Sequence, residues 1–244
     1  MQVYAGTSGF SYESWKGIFY PAGLPARAML RYYGERLLSV EMNGTFYRVP
    51  SAKTLSGWRE EVPERFRFAL KAPRKITHFG RLSGVDDSVA FFYRAAAELG
   101  GKLGAVLYQL PPDAKKDLAR LEAFLAILPA GGHAAFEFRH ASWFSDDVLD
   151  LLHRNRAALC VADSEEREVP LLATAPFGYL RLRRPGYDPA ALASWAERIL
   201  GQPWDDAYVF FKHEDGALGV ALAQALAAIV GPRESLGSSA APPS

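Results

Sequence analysis

The chain has 244 residues, and its 49% hydrophobic and 23% charged side chains are typical of an ordinary globular protein. No segment approaches the roughly 20 apolar residues of a membrane span, and we expect no secretion signal in the strand-like start MQVYAGTSG. The single cysteine, Cys160, excludes an internal disulfide framework and a cysteine-based zinc cluster, and we predict that it lies in the core. These features predict a cytoplasmic protein without membrane contact.

Net charge is only +1, but six Lys or Arg residues and no acidic residue occur between Arg65 and Arg81. Such a segment attracts anions or nucleic acid if it forms one surface; otherwise it is an ordinary solvated loop. Residues 231–244 are mostly Ser, Gly, Ala and Pro, with little to bury. We therefore predict a disordered tail after a single domain of residues 1–230.

Eight short apolar runs recur along the chain at intervals of about 25–35 residues. Their β-branched and aromatic residues, with Gly or Pro nearby, predict strands. These predicted strands cover residues 3–7, 37–43, 66–72, 104–110, 134–139, 157–163, 178–183 and 207–213.

Amphipathic segments of helical length separate most of these strands. Ser51 is a predicted N-cap, and Asp86–Asp87 and Gly100–Gly101 are the expected caps of another helix. The predicted helices cover residues 51–62, 85–103, 118–128, 147–155, 190–200 and 218–230. The sixth connection, residues 164–176, shows little helical pattern.

Alternating strands and helices predict a parallel sheet. Eight such units in this length match an α/β (β/α)₈ TIM barrel, which takes about 250 residues. The sixth unit is expected to be irregular. A doubly wound open sheet is the alternative.

Polar residues end every predicted strand, and in a βα barrel these carboxyl ends surround the site. Because side chains alternate along a strand, Glu41 and Asn43 share one face, as do Glu137 and Arg139. Buried charges need a partner or a ligand. The polar strand-end residues are Ser8, Glu41, Asn43, Lys71, Gln109, Glu137, Arg139, Asp163, Arg181, Arg183, Lys212 and His213.

Three carboxylates of this set, Glu41, Glu137 and Asp163, are candidate acid–base groups or oxygen ligands of a divalent metal. The cations beside them suit a phosphate or carboxylate. These candidate cations are Lys71, Arg139, and Arg181 or Arg183. The alternative is a network of salt bridges that closes the barrel mouth without chemistry.

The loops after the strands add further candidates. Arg183, Arg184, Lys212 and Gly216 follow strands seven and eight, where barrels often bind phosphate. Aromatic loops such as FSYESWKGIFYP suit stacking of a base or sugar, or form a second small core. His78, His140 and His213 are weak metal-ligand candidates because no HExxH spacing accompanies them.

A series of longer motifs occurs in a specific order: GTSGFSYESWKGIFYP, VEMNGTFYRVPS, FALKAPRKITH, LYQLPP, FEFRHASWF and CVADS. In these the chain resembles the YecE-like family, domain of unknown function seventy-two, up to about Val230. The resemblance implies a TIM-barrel fold and leaves the activity open, because none is established for the family.

The resemblance also carries individual residues over to this chain. The family motifs match this chain after strands two to six at Glu41, Asn43, Tyr47, Lys71, Pro73, His78, Gln109, Glu137, Arg139, His140 and Asp163. Two loops depart from the family pattern. Many relatives have Arg-x-His-Gly at the end of strand seven, where this chain has Arg-Leu-Arg-Arg at residues 181–184. Many also have an asparagine pair followed by glycine after strand eight, where this chain has Lys-His-Glu-Asp-Gly at residues 212–216.

The first hypothesis is an enzyme that acts on a small anionic or nucleotide-like substrate. Glu41 and Glu137 would perform acid–base chemistry, and Asp163 would orient a partner. The remaining predicted substrate-binding residues are Asn43, Tyr47, Lys71, His78, Gln109, Arg139, His140 and Arg181. A divalent metal is compatible with this set, but no residue is assigned to it.

Two alternatives belong to other functional classes. The first is a nucleic-acid-binding or accessory protein that uses the basic 65–81 segment and the aromatic loops. The second is a barrel that binds a metabolite without chemistry.

Overall fold

The computed structural model describes residues 1–165 and 169–231. In them, eight parallel strands form a closed barrel in chain order, and β1 pairs with β8 to close it. The strands are β1 Gln2–Ser8, β2 Ser39–Met42, β3 Arg67–Lys71, β4 Leu103–Gln109, β5 Ala134–Glu137, β6 Ala158–Asp163, β7 Phe177–Leu182 and β8 Asp206–Phe211. This confirms the (β/α)₈ TIM barrel and removes the open-sheet alternative.

Seven α-helices of the described residues surround the barrel. They are α1 Met29–Gly34, α2 Ala52–Glu61, α3 Asp86–Ala96, α4 Leu118–Ala126, α5 Asp146–Arg154, α6 Pro189–Leu200 and α7 Leu218–Val230. The short helix α1 is the one that the sequence pattern did not predict. None of the helices in the described residues is long and apolar enough to cross a bilayer.

The sixth connection is irregular, as expected. No helix occurs in residues 164–165 and 169–176, the described part of this connection. Val169 and Thr174 are nevertheless buried there. The Thr174 hydroxyl accepts a hydrogen bond from the Leu159 amide and donates one to the Ala157 carbonyl, both at 2.8 Å. These two hydrogen bonds attach the connection to the start of β6.

The N-cap predicted from the sequence is found in α2 but not in α3. Ser51 caps α2 by accepting a hydrogen bond from the Thr54 amide. Asp86 and Asp87 lie in the first turn of α3 rather than at its N-cap, where carboxylates still favour the positive end of the helix dipole. The α-helix ends at Ala96, and a 3₁₀ segment continues to Lys102, so the expected glycine cap does not end the α-helix.

Two apolar clusters divide the side chains of each strand. The first consists of buried strand residues, among them Cys160 and Tyr208, and it fills the barrel interior. The other joins the opposite strand faces to the helices. Cys160 is buried in the inner cluster, as predicted. The inner face changes from apolar at the start of the strands to polar at their carboxyl ends, and this change creates the site.

The predicted tail, residues 231–244, falls outside the described residues except for Gly231. The prediction of disorder there stays a prediction.

Candidate functional site at the barrel mouth

Glu41 is the most enclosed polar residue of the mouth, with an exposed fraction of 0%. Its Oε1 accepts from the Ser8 hydroxyl at 2.8 Å, the Asn43 amide at 3.1 Å and the Arg181 guanidinium at 2.7 Å. Its Oε2 accepts from the Tyr179 hydroxyl at 2.8 Å. Burial raises the pKa of Glu41, but the Arg181 charge and the donated hydrogen bonds outweigh burial and hold this pKa below its usual value.

Arg181 joins Glu41 to a second buried carboxylate. Its Nη1 donates to Oε2 of Glu137 at 2.6 Å, while Nη2 donates to Glu41. The Arg183 guanidinium reaches the same Glu137 oxygen at 3.3 Å. Burial disfavours the charged form of Arg181, but the two carboxylates outweigh burial and raise the pKa of Arg181 above its usual value. The core of the mouth is therefore a Glu–Arg–Glu bridge across the barrel.

Gln109 and Lys71 extend this bridge toward β3. The Gln109 amide nitrogen donates to Oε1 of Glu137 at 2.8 Å, and its amide oxygen accepts from Nζ of Lys71 at 2.8 Å. Nζ of Lys71 also lies 4.2 Å from the centre of the Phe46 ring. Burial, followed by the Arg181 charge, lowers the pKa of Lys71 to about 8. This amine is therefore much closer to neutrality at physiological pH than an ordinary lysine.

An open cleft of about 470 Å³ lies beside this network, at the carboxyl ends of β5, β6 and β7. Glu137, Arg139 and Arg183 line it. Arg139 is half-buried and takes part in no ion pair among the described residues. Among the described residues, the buried Nε atoms of Arg181 and Arg183 also have no hydrogen-bond partner.

The charges of this mouth do not balance. Four cations lie here, Lys71, Arg139, Arg181 and Arg183. They face the network carboxylates Glu41 and Glu137 and the cleft-lining Glu165, so among these described residues the excess is one positive charge. An uncompensated cation excess in a partly buried cleft attracts an anion.

Asp163 does not join the other predicted catalytic residues. In the sheet, Ala162 pairs with Arg181 and Asp163 pairs with Leu182, which belongs to the outer cluster. Asp163 therefore faces the helices, where it accepts from Nε of Arg184 at 2.7 Å and from the Tyr187 hydroxyl at 2.7 Å. Of the predicted charged site residues, Glu137 and Arg139 line the cleft, and Glu41 and Lys71 join them only through the hydrogen-bond network. Asp163 does not, because β6 turns this side chain outward.

The residues of the predicted phosphate-binding loops also lie on different faces of the barrel wall. Arg183 points into the mouth and contacts Glu137, whereas Arg184 pairs with Asp163 outside the barrel. The His213 ring contacts the Arg184 carbonyl rather than the network. These neighbouring arginines therefore serve different clusters, and the structure does not bring them together as one anion site.

Three of the predicted binding residues lie away from the network. Tyr47 is 70% exposed and packs edge-on to Phe46. His78 lies edge-on to Phe46 at 4.8 Å. Burial, followed by the Lys71 charge, lowers the pKa of His78. His140 accepts from the Ser142 amide and caps a short 3₁₀ turn, so its contact is local. Their proposed roles in substrate binding stay predictions.

Tyr179 is the network residue that the sequence analysis missed. It lies two residues before Arg181 and therefore shares its face of β7, a spacing that identifies it in retrospect. Ser8 was recognised as a strand-end residue but was given no role in the site, whereas Arg183 was a candidate cation as the alternative to Arg181. Burial, followed by the Glu41 charge, raises the pKa of Tyr179 well above its usual value, so its hydroxyl stays a donor.

Metal ligation receives no support from the donor geometry. Within residues 1–165 and 169–231, no three His, Cys, Asp or Glu side chains are grouped closely enough to hold an ion. The oxygens of Glu41 and Glu137 already accept hydrogen bonds from protein donors.

Known proteins share both the sequence and the fold. A curated relative, the UPF0759 protein YunF of Bacillus subtilis, is 30% identical over 152 residues, 59% of this chain and 52% of that protein. The match thus spans about half the length of that relative. A DUF72 family protein from Thermotoga maritima superposes with a TM-score of 0.77 at 27% identity, covering 91% of this chain and 97% of that one.

A DUF72 family protein from Enterococcus faecalis also gives a TM-score of 0.77, at 20% identity over 96% of this chain and 99% of that one, and supports the fold alone. The family model described as "Protein of unknown function DUF72" matches residues 4–244. The chain therefore belongs to the DUF72 family, whose proteins have no established function.

Proposed function

We propose that this protein is an enzyme that binds a small anionic substrate in the cleft between β5 and β7. The observation that carries the proposal is Arg139, a cleft-lining guanidinium without an ion pair among the described residues, beside the buried Nε atoms of Arg181 and Arg183 that lack partners there. A phosphate or carboxylate group accepts hydrogen bonds from arginine in a bidentate manner and would satisfy both the charge and the free donors.

Arg139 and Arg183 would hold the anion. Both line the cleft, and Arg139 has no ion-pair partner among the described residues to compete with a ligand. Arg181 has a different task because its exposed fraction is only 3% and both of its terminal nitrogens are bound to carboxylates. It would set the positions of Glu41 and Glu137.

The two carboxylates also differ in role. Glu137 lines the cleft, so we assign the acid–base step of the proposed reaction to it. Glu41 is fully buried, with four donors on its two oxygens. A group without solvent access cannot reach a substrate, so Glu41 would act as a positioning residue.

Thermal unfolding in increasing inorganic phosphate or citrate tests the binding step. Ligands that bind the folded protein raise its melting temperature in a concentration-dependent way. Arg139→Gln removes a charge-assisted contact of about 1.5–3 kcal/mol, so affinity should fall about ten- to a hundredfold. Arg154→Gln, in the last turn of α5 at the opposite end of the barrel, is the matched control and should keep the wild-type response.

Turnover is tested separately from binding. Small phosphates and carboxylates that raise the melting temperature are incubated with the protein and followed by proton NMR, with Glu137→Gln as the comparison. A chemical change that is lost in Glu137→Gln supports the enzyme. Stabilisation without any chemical change, and equal affinity in Glu137→Gln, would instead support a metabolite-binding barrel without chemistry.

Nucleic-acid binding is the second candidate, and one exposed surface favours it. Tyr47 and Phe79 are each 70% exposed, and the Arg74 guanidinium lies 5.9 and 5.3 Å from their ring centres. An aromatic platform with a cation suits base stacking. However, Arg67 packs over Tyr4 at the start of β3, and Lys71 lies in the mouth, so the 65–81 segment does not form one basic surface.

Binding to single-stranded oligonucleotides at several salt concentrations tests this candidate. A steep loss of affinity with salt in the wild type, together with weaker binding in Phe79→Ala, supports it. A weak interaction that does not respond to salt would remove it.

A further inference from the structure

Lys71 has no carboxylate partner among the described residues, in contrast to Arg181 and Arg183. It appears in none of the ion pairs of the described residues, and its amine donates to a neutral acceptor, Oε1 of Gln109. Its other close neighbour is the face of the Phe46 ring at 4.2 Å. Neither neighbour holds the amine as an ammonium ion as a carboxylate does.

The surroundings of Lys71 lower its pKa and so increase the share of its neutral form. The Arg181 and Arg139 charges add to partial burial, and together they outweigh the opposing effect of Glu41 and Glu137, so that the pKa is about 8. From an ordinary value of 10.5, this shift increases the neutral fraction near pH 7 about 300-fold. Desolvation and a neighbouring cation are the two means by which proteins make a lysine nucleophilic.

The position of Lys71 also links it to the proposed anion site. It ends β3 at the carboxyl end of the barrel and is half-buried, so it is not fully enclosed as Glu41 is. Gln109 connects it to Glu137, and Glu137 in turn contacts Arg183, which lines the cleft. Lys71 itself lies outside the lining of the cleft, so a molecule whose anionic end lies on the arginines has to extend past Glu137 and Gln109 to meet it.

We propose that Lys71 is a nucleophile that forms an iminium with a small anionic carbonyl compound, such as a 2-oxo acid or a phosphorylated aldehyde or ketone. The inference rests on the proposed function, because the arginines of the cleft would supply the anion contact. It names the substrate class as a molecule that carries both a carbonyl group and an anionic group.

The covalent step balances without an oxidant or reductant. The neutral Nζ attacks the carbonyl carbon, so the N–C bond forms and the carbonyl oxygen becomes the hydroxyl of a carbinolamine. That C–O bond then breaks, and the oxygen leaves as water with one proton from the amine and one from solvent. The positive iminium withdraws electrons from the neighbouring carbon, and Glu137 is the carboxylate of the network that lines the cleft beside it.

Reductive trapping tests the proposal on the intact wild-type protein. The protein is incubated with pyruvate or glyoxylate and sodium cyanoborohydride, and the modified lysines are located by peptide mass mapping. Lys75, which is exposed in the same segment, is the internal control. We expect Lys71 to be modified at least tenfold faster than Lys75, with a pH midpoint near 8. Equal modification of the two lysines would overturn the proposal.

Three further measurements separate this proposal from anion binding alone. Lys71→Arg should lose the modification at residue 71 while phosphate still raises its melting temperature. Acetone, which has no anionic group, should modify Lys71 at least tenfold more slowly than pyruvate, and phosphate should slow the reaction with pyruvate. If phosphate binds but pyruvate does not modify Lys71, the proposed anion site stands and the iminium proposal fails. If neither binding nor modification occurs, both proposals fail.

Discussion

Two clusters of the same chemical types lie on opposite faces of the barrel wall. The inner cluster joins Glu41 and Glu137 to Arg181 and Tyr179, and the outer one joins Asp163 to Arg184 and Tyr187. Arg181 is 3% exposed, whereas the side chain of Arg184 is 47% exposed. Glu41 and Asp163 are each buried and each held by an arginine and a tyrosine. The clusters differ in that Arg181 is buried and also binds Glu137, whereas water reaches Arg184.

Burial changes what these pairs contribute. An exposed ion pair stabilises a protein by about 0–1 kcal/mol because water screens it. Removing one partner of a buried pair leaves an uncompensated charge and is far more damaging. The inner cluster should therefore be necessary for the fold of the mouth, and the outer cluster should be largely replaceable.

The largest expected effect comes from removing the central guanidinium. Arg181→Met leaves Glu41 and Glu137 buried without their main cation, and should lower the free energy of unfolding by about 3–5 kcal/mol. The matched variant Arg184→Met should lower it by no more than about 1 kcal/mol. Urea denaturation followed by circular dichroism measures both. Equal losses in the two variants would contradict the comparison.

The tyrosine hydroxyls provide a finer test. Tyr179 supplies the one hydrogen bond that Oε2 of Glu41 receives among the described residues, so Tyr179→Phe should lower the free energy of unfolding by about 1.5–3 kcal/mol. Tyr187→Phe removes an equivalent bond to Asp163, but water reaches the half-exposed Arg184 beside it, so about 0.5–1.5 kcal/mol is expected. A larger loss in Tyr187→Phe would reverse the ranking of the two clusters.

Acid pH should expose a smaller contribution from Glu41. Its pKa is lowered in the folded protein, so the stability that it contributes is complete above the unfolded value of 4.5 and is lost as pH falls through the folded value. Glu41→Gln should therefore lose less stability than the wild type as pH falls from 6 to 3. Urea denaturation at four pH values in this range measures the slope, and identical slopes would show that Glu41 is not responsible.

The smallest expected effect is at Arg139. It takes part in no ion pair among the described residues and lies in a region with excess positive charge. Arg139→Gln without ligand should therefore change the free energy of unfolding by less than about 0.5 kcal/mol, and low salt should shift the change toward stabilisation. Thermal melts at two salt concentrations check this. A loss above 1 kcal/mol would indicate a structural role instead of ligand binding.

The sequence predicted the barrel and most of the polar mouth. Eight apolar runs correspond to β1–β8, and the polar residues after them include every partner of Glu41 except Tyr179. Strand-end polarity is a local signal, so a single sequence is enough to show it. The short helix α1 was missed because its six residues are too few for a clear helical period.

The sequence did not show on which face of β6 the Asp163 side chain lies. Strand β6 reads ALCVAD and is buried on both faces, so no alternation of polar and apolar residues marks which side chains point inward. The division between Arg183 and Arg184 has the same cause. Only the pairing of Ala162 with Arg181 and of Asp163 with Leu182 assigns the faces.

The sequence by itself determined the βα alternation and the positions at which charged residues end the strands. Only the tertiary structure decided which of those charges meet. Closing the barrel brings Glu41, on β2, within 2.7 Å of Arg181, on β7, across 140 residues of chain. It also turns Asp163 away from them, because partners in a barrel are set by strand register and inward or outward facing rather than by proximity in the chain.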